Sequence, residues 1–319
     1  MQPLFRFALL ALGVSCASCT GAEIASDSTG TDSSPAERAE LTGASSDELS
    51  TLAPGTKTLA YVEVNSNDFN NVGCYTYDSP AKPYFTFASI FAANINYDSA
   101  RQKPILYFNP QVDTVLNRTS YVKNLQSLGI KVLLTVLGNH QNAGWACFRD
   151  EATAQDFASQ LAAAANKYGL DGIDIDDEYS TCSTNDTSLI VVASKMRAAM
   201  PNKIISKALF SDTSYFRARW NGHKLADYLD YGWEMTYGYT NYAARLSPYL
   251  AQGMTKEKLS IGVSTGGSDG AGAAKYVNDN GIGTLMTYNV TKSSQSYLSG
   301  QSRVLYGGKT VQVKPNCLK

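Results

Sequence analysis

A parallel (β/α)8 barrel is the fold class predicted for this 319-residue chain, and three observations predict it. From residue 58 onward, short runs rich in Val, Ile, Leu, Phe and Tyr alternate with longer segments of helical composition. Eight such alternations fit into about 260 residues, the size of one barrel of this kind. No glycine-rich phosphate loop follows the first run, which sets aside the open doubly wound sheet.

The elements can be taken in order. The first residues, M-Q-P-L-F-R-F-A-L-L-A-L-G-V-S-C-A-S-C, combine one Arg with an apolar stretch from Phe7 to Val14. That stretch is too short to span a bilayer and small residues follow it, so residues 1–19 are expected to be an export signal rather than a core helix. Cys16 and Cys19 follow small residues, as the lipidated cysteine of a bacterial lipoprotein does, so the signal is expected to be of the lipoprotein type or an ordinary secretory one. Residues 20–56 are dominated by Ser, Thr, Asp, Glu, Gly and Ala, with too few apolar residues to offset the entropy of ordering, and are expected to form a disordered linker. The expected location is therefore secreted, or lipid-anchored at the bacterial cell surface or outer membrane, with no membrane contact beyond that anchor.

Residues 57–319 form the expected barrel domain. Its strands are expected at 58–65, 84–95, 130–138, 169–177, 202–210, 229–238, 258–265 and 281–289. A ninth run, P-I-L-Y-F-N at 104–109, has no helix before it and reads as a hairpin inserted after the second strand. Between the third and fourth strands, Phe157, Leu161 and Ala164 recur at helical spacing and Tyr168-Gly169 ends the run.

Charge and composition exclude several functions. The chain is 44% hydrophobic with a formal net charge of -1 and no cluster of Lys or Arg, so nothing attracts a phosphate backbone and nucleic acid is not an expected partner. The two histidines, His140 and His223, are far apart and no Cys-x-x-Cys follows residue 19, so neither a metal site nor a cofactor is expected. Four cysteines remain beyond the signal, Cys74, Cys147, Cys182 and Cys317, which in an exported chain suggests disulfides; free buried thiols are the alternative.

The fourth strand run carries the chemistry. Residues 170–178 read L-D-G-I-D-I-D-D-E, with five carboxylates in nine residues. Side chains alternate across a strand, so Asp174, Asp176 and Glu178 share the face that points into the barrel, while Ile173, Ile175 and Asp177 face the helices. Glu178 falls at the C-terminal rim, where the active sites of this fold sit. Like charges about 6 to 7 Å apart in a poorly hydrated interior cannot all ionise, so the set is expected to hold a proton near neutral pH and to titrate as a coupled unit. A calcium loop also collects Asp, but this run lacks the glycine and distal Glu of the helix-loop-helix pattern and is flanked as a strand. A solvated acidic edge does not suit the branched apolar residues between the charges.

The stretch D-G-I-D-I-D-D-E resembles the D-G-x-D-x-D-x-E signature of glycoside hydrolase family 18, which includes chitinases and endo-β-N-acetylglucosaminidases. Further stretches resemble the endo-β-N-acetylglucosaminidase branch, of the endoglycosidase H type: Y-V-E-V-N (61–65), N-V-G-C-Y-T (71–76), F-A-A-N-I-N-Y-D (91–98), I-K-V-L-L-T-V-L-G-N-H (130–140) and M-P-N-K-I-I-S (200–206). The resemblance implies cleavage of the GlcNAc-β1,4-GlcNAc chitobiose core of N-linked glycans, expected to be high-mannose or hybrid, by a retaining, substrate-assisted reaction that leaves one sugar on the protein. By the same resemblance Glu178 is the acid and then the base, and Asp176 holds the acetamido group. Asp174 shares a proton with Asp176, and Tyr237 in E-M-T-Y-G (234–238) orients the acetamido carbonyl.

Two positions depart from the chitinase pattern. Gly238 stands where an Asp follows the Tyr, and the eighth run ends M-T-Y-N without a Trp. A chitinase acting on chitin oligomers and an inactive glycan-binding barrel are the rival readings. Substrate contacts are expected from Asn139 and His140 after the third strand, Trp233 and Tyr239 around the sixth, and Tyr288 and Asn289 after the eighth. Cys147 and Cys182 lie in the loops after the third and fourth strands, neighbours on one face of the barrel, so a disulfide between them is expected. A monomer is expected, with N-glycans of glycoproteins as its partners.

Overall fold

The computed structural model describes residues 55–319; the expected signal (1–19) and all but the last two residues of the expected linker (20–56) lie outside the described residues. Among the described residues, twelve strands run in chain order as β1 (Lys57–Glu63), β2 (Tyr75–Tyr77), β3 (Lys82–Pro83), β4 (Phe87–Asp98), β5 (Lys103–Tyr107), β6 (Lys131–Gly138), β7 (Gly172–Asp176), β8 (Ile204–Leu209), β9 (Tyr231–Glu234), β10 (Leu259–Ser264), β11 (Thr284–Tyr288) and β12 (Gln312–Val313). Eight of them, β1, β4 and β6 to β11, pair in parallel in sequence order, and β1 pairs with both β4 and β11, which closes the barrel. Each expected run supplies one of these strands.

The helices are α1 (Pro110–Asp113), α2 (Tyr121–Ser127), α3 (Glu151–Lys167), α4 (Ser188–Ala199), α5 (Thr213–Arg217), α6 (Tyr242–Leu250), α7 (Gly270–Asn280) and α8 (Gln295–Leu305). The ring they form is thin in two places: only a 3-10 segment, Phe69–Cys74, follows β1, and only the short α5 and a 3-10 turn, Leu225–Asp227, follow β8. Helix α3 shows why these segments are helical. Asp150 caps it by accepting from the Thr153 amide at 2.7 Å, Ala154, Phe157, Ala158, Leu161 and Ala165 form one buried face, and Gly169, at φ +63°, lets the chain leave.

The expected hairpin is present, and one of its arms is the second barrel strand itself. Strand β4 runs on past the barrel, and Asn94–Asp98 pair antiparallel with Lys103–Tyr107. The hairpin leans on α3, where Gln160 accepts from the Leu106 amide at 2.9 Å and Asp156 from Lys103 at 3.1 Å. Strands β2, β3 and β12 make a small second sheet, and a disulfide between Cys74 and Cys317, 243 residues apart, ties the C-terminus to the segment after β1. In the chain-entropy picture, closing a loop that long stabilises by about 5 kcal/mol. Cys147 and Cys182 form the second disulfide, with Cα atoms 5.9 Å apart, as the loop positions predict.

Apolar packing is divided in two. A large cluster lies between sheet and helices and takes in Ile173 and Ile175, whereas a smaller one fills the barrel with Leu59, Tyr61, Phe87, Leu133, Tyr231, Trp233 and Met286. The barrel is therefore a packed core whose open end is polar.

Candidate active site

Strand β7 is built around Gly172. A methyl group there would lie 2.2 Å from the Ile204 carbonyl oxygen, so only glycine lets β7 and β8 approach this closely. The ladder then sets Thr135 of β6 and Ser206 of β8 on either side of Asp174. Asp174 is fully buried. Its Oδ1 accepts from Ser206 Oγ at 2.6 Å, and its Oδ2 from Thr135 Oγ1 at 2.9 Å and from the Tyr61 hydroxyl across the barrel. Burial pushes this carboxyl up, and the three hydroxyls with Lys207 pull it back.

Asp176 stands one pleat nearer the rim. It is 2% exposed, and its Oδ1 has no hydrogen-bond partner. Burial first, then the charges of Glu178 and Asp174, hold it well above the usual carboxylate range. No hydrogen bond joins Asp174 to Asp176, because hydroxyls occupy both oxygens of Asp174; the expected sharing of a proton is here an electrostatic coupling and not a direct contact. An unpartnered buried carboxylate oxygen costs roughly 1 to 3 kcal/mol and is satisfied by any N-H donor that reaches it.

Glu178 is the second residue past β7, half-buried, and burial raises its carboxyl as well. Its backbone is held by the loop after β6. The Gly138 amide donates to the Glu178 carbonyl at 3.0 Å, His140 to that of Tyr179 at 2.6 Å, and Thr181 to that of Gln141 at 3.0 Å. Gly138 must be glycine, since a methyl group there would fall 2.4 Å from the Glu178 carbonyl oxygen. The Cys147–Cys182 disulfide joins the same two loops beyond this clamp.

Two tyrosines stand beside the carboxylates. The rings of Tyr237 and Tyr288 are stacked, 5.7 Å between centroids at 17°, with Phe91 edge-on to Tyr288. The Tyr237 hydroxyl donates to Met235 Sδ at 2.8 Å, a weak acceptor that a better one displaces readily. Burial, Tyr288 and the charges of Asp176, Glu234 and Glu178 keep this hydroxyl protonated. A buried carboxylate pair under a protonated tyrosine and a restrained rim glutamate can deliver a proton, hold an amide and stabilise a nearby positive charge.

A match to the model of glycosyl hydrolases family 18 covers residues 59–312. The chain belongs to glycoside hydrolase family 18. Within the family it is 39% identical over 273 residues to an endo-beta-N-acetylglucosaminidase of Flavobacterium sp. (strain SK1022), covering 79% of this chain and 81% of that protein. It is 33% identical over 307 residues to endo-beta-N-acetylglucosaminidase F1 of Elizabethkingia meningoseptica, covering 90% and 87%. The crystal structure of EndoBT-3987 from Bacteroides thetaiotamicron with Man5GlcNAc product superposes with a TM-score of 0.70 at 28% identity, over 82% of this chain and 63% of that one. The chain thus spans less than two thirds of that structure.

The remaining expected contacts of this family 18 site divide by position. Tyr288 is in the wall just described. Asn289 reaches the same rim, where its amide donates to Glu63 at 3.3 Å and its side-chain carbonyl accepts from Asn67 at 3.0 Å. Asn139 donates to Asn96 at 2.8 Å and so braces the hairpin, and His140 is exposed with its ring 5.2 Å from that of Tyr179. Tyr239 is 71% exposed on the loop after β9. Trp233 departs from its expected role: it is fully buried inside the barrel, stacked on Tyr231 at 4.9 Å and tilted against Phe87, and offers no face to a sugar. Its inward direction was readable from strand parity, but the aromatic packing that covers it was not.

Glu234, which sequence parity turns away from Tyr237, lies behind β9. It forms an ion pair with Arg245 of α6 and accepts from the Thr236 amide at 2.8 Å, which fixes the turn that presents Tyr237. Arg245 also donates to the carbonyls of Tyr239 and Gly262, both at 2.8 Å. Sequence reasoning missed Tyr61, Thr135 and Ser206 as the partners of Asp174. Their inward parity on β1, β6 and β8 was the available signal.

Proposed function

We propose that this family 18 chain is an endo-β-N-acetylglucosaminidase that hydrolyses the GlcNAc-β1,4-GlcNAc bond of the chitobiose core of N-linked glycans and leaves one GlcNAc on the protein. The observation that carries the reading is the ladder on β7: Glu178 at the rim, Asp176 below it with an unpartnered buried oxygen, and Asp174 held by three hydroxyl donors. The relatives named above, two named endo-beta-N-acetylglucosaminidases and one structure with Man5GlcNAc product, support it.

The substrate's own 2-acetamido oxygen attacks the anomeric carbon, so the configuration is retained without a protein nucleophile. Asp176 accepts the acetamido N-H and stabilises the positive charge of the oxazolinium. Tyr237 releases Met235 and donates to the acetamido oxygen, aiming it at the anomeric carbon. Glu178 gives its proton to the departing oxygen, then takes one from the water that opens the oxazolinium.

Chitin oligomers share the N-acetylglucosamine that this chemistry needs. Gly238 and the M-T-Y-N end of the eighth run, which has no Trp, are the two departures from the chitinase pattern, and they favour the N-glycan core. The preference for high-mannose or hybrid glycans is part of the proposal, as are a monomeric state and export. Both disulfides support an oxidising compartment, and the run Phe7–Val14 followed by Cys16 and Cys19 supports a secretory or lipoprotein signal.

The test is a paired digestion of an oligomannose glycopeptide and of chitin oligosaccharides, with the released sugar followed by NMR from the first turnover. The proposal expects release from the glycopeptide as the β-anomer and little action on chitin. Preferential cleavage of chitin would overturn it in favour of a chitinase. Glu178→Gln, which keeps the shape and removes the proton, should lower kcat by at least a hundredfold.

A further inference from the structure

Lys207 is a buried lysine that the chemistry above does not use. It points outward from β8 into the layer between sheet and helices, and its side chain is fully inaccessible. Its backbone partner across the β7–β8 ladder is Ile175, and the next outward side chain along β7 is Asp177. Its Nζ forms an ion pair with Asp212 and donates to the Ala208 carbonyl at 2.8 Å. Asp212 is held in turn by the Phe210 amide at 3.1 Å and the Tyr249 hydroxyl at 3.2 Å. One cation thus faces Asp177 and Asp212 behind the barrel wall, while Asp176 and Glu178 lie on the other side of the same two peptides.

We propose that Lys207 is a charge-setting residue for Glu178 and Asp176, acting through the wall of the barrel, and that Asp177 opposes it at Asp176. A through-wall role explains why a lysine is buried where an apolar residue would pack at less cost. Arginine in the same place would keep the charge, and methionine would keep only the volume.

The electrostatics have the required signs. Lys207 lowers Glu178, Asp176 and Asp177, and Asp177 raises Asp176. Burial and Asp212 push Asp177 itself up to about 6 against the pull of Lys207. The other groups that face the cluster are Tyr215 of α5 and Tyr249 of α6, with the Glu234–Arg245 pair behind Tyr249. From inside the barrel come Asp174, Tyr61, Tyr237, Tyr288 and, at the rim, Tyr179. The cations of α4 are engaged elsewhere, Lys195 with Glu151 and Arg197 with Asp230.

The inference rests on the proposed function, and its test separates the two. The pH dependence of kcat/KM is measured for the unaltered enzyme, Lys207→Met, Lys207→Arg and Asp177→Asn on an oligomannose glycopeptide. Lys207→Met should move both limbs of the profile up by about one pH unit, Asp177→Asn should move the limb set by Asp176 down, and Lys207→Arg should leave both in place. A Lys207→Met variant with lowered kcat and unmoved limbs, or two shifts of the same sign, would overturn the proposal. Asp177→Asn keeps its shape and serves if Lys207→Met does not fold. Carboxyl 13C titration of Asp176 in the unaltered protein and in Asp177→Asn reads the same shift without turnover. It stands even if the glycopeptide is not the substrate, and an unmoved Asp176 titration would overturn the through-wall role.

Discussion

Gly138→Ala tests how the acid is held. The added methyl would sit 2.4 Å from the Glu178 carbonyl oxygen, 2.5 Å from Ser180 Oγ and 2.7 Å from the Tyr179 carbonyl carbon. Two of these three are backbone atoms that no rotamer change can move. Restoring ordinary contact requires the Glu178–Tyr179 peptide to retreat by about 1 Å, and a misplacement of that size costs about a hundredfold in rate. The same movement stretches the 3.0 Å bond from the Gly138 amide, so overpacking and a weakened hydrogen bond together should cost about 2 kcal/mol of stability. Steady-state kinetics and thermal unfolding would show kcat down about a hundredfold, KM nearly unchanged and Tm lower by several degrees. Gly300→Ala, in α8 with open space around it, is the control and should leave activity alone. Gly138→Ala with kcat within threefold of the unaltered enzyme would refute the claim that the clamp from β6 positions Glu178.

Three further outcomes follow from the same geometry. Asp176 has a raised carboxyl in the folded state, so its ionisation costs stability as pH rises; Asp176→Asn should unfold at higher temperature than the unaltered protein at pH 7, with the difference gone below about pH 4, while hydrolysis is lost. Arg245→Met leaves Glu234 buried without its ion pair and should destabilise by about 3 to 5 kcal/mol, read by urea unfolding, and adding Glu234→Gln should recover part of the loss. Replacing Cys147 and Cys182 by Ser opens a loop of 35 residues, worth about 4 kcal/mol in the chain-entropy picture, and should lower both Tm and kcat because that loop restrains the rim beside Glu178.

The strand that matters most was the most legible part of the chain, because period-two alternation assigns each carboxylate to a face without knowledge of the rest of the fold. Asp174 and Asp176 are inside, Ile173 and Ile175 are under the helices, and Asp177 lies outside with Lys207. What surrounds them was less legible. Tyr61 reaches Asp174 across 113 residues, and a single hydroxyl carries no sequence signal of that partnership. A carboxylate at Glu234 makes sense only beside Arg245, which α6 brings against it from 11 residues further along the chain. The pairing of Cys74 with Cys317 was open because the small sheet of β2, β3 and β12 that brings them together consists of strands of two or three residues, too short for any periodicity.

The most direct measurement is the intact mass of a glycoprotein bearing oligomannose N-glycans, before and after incubation with residues 57–319. A loss of the glycan that leaves a single N-acetylglucosamine on the protein is the predicted result, and it reports the bond and the reaction together. An unchanged mass, with the glycan still bound by the protein, would contradict the account and point to a binding barrel.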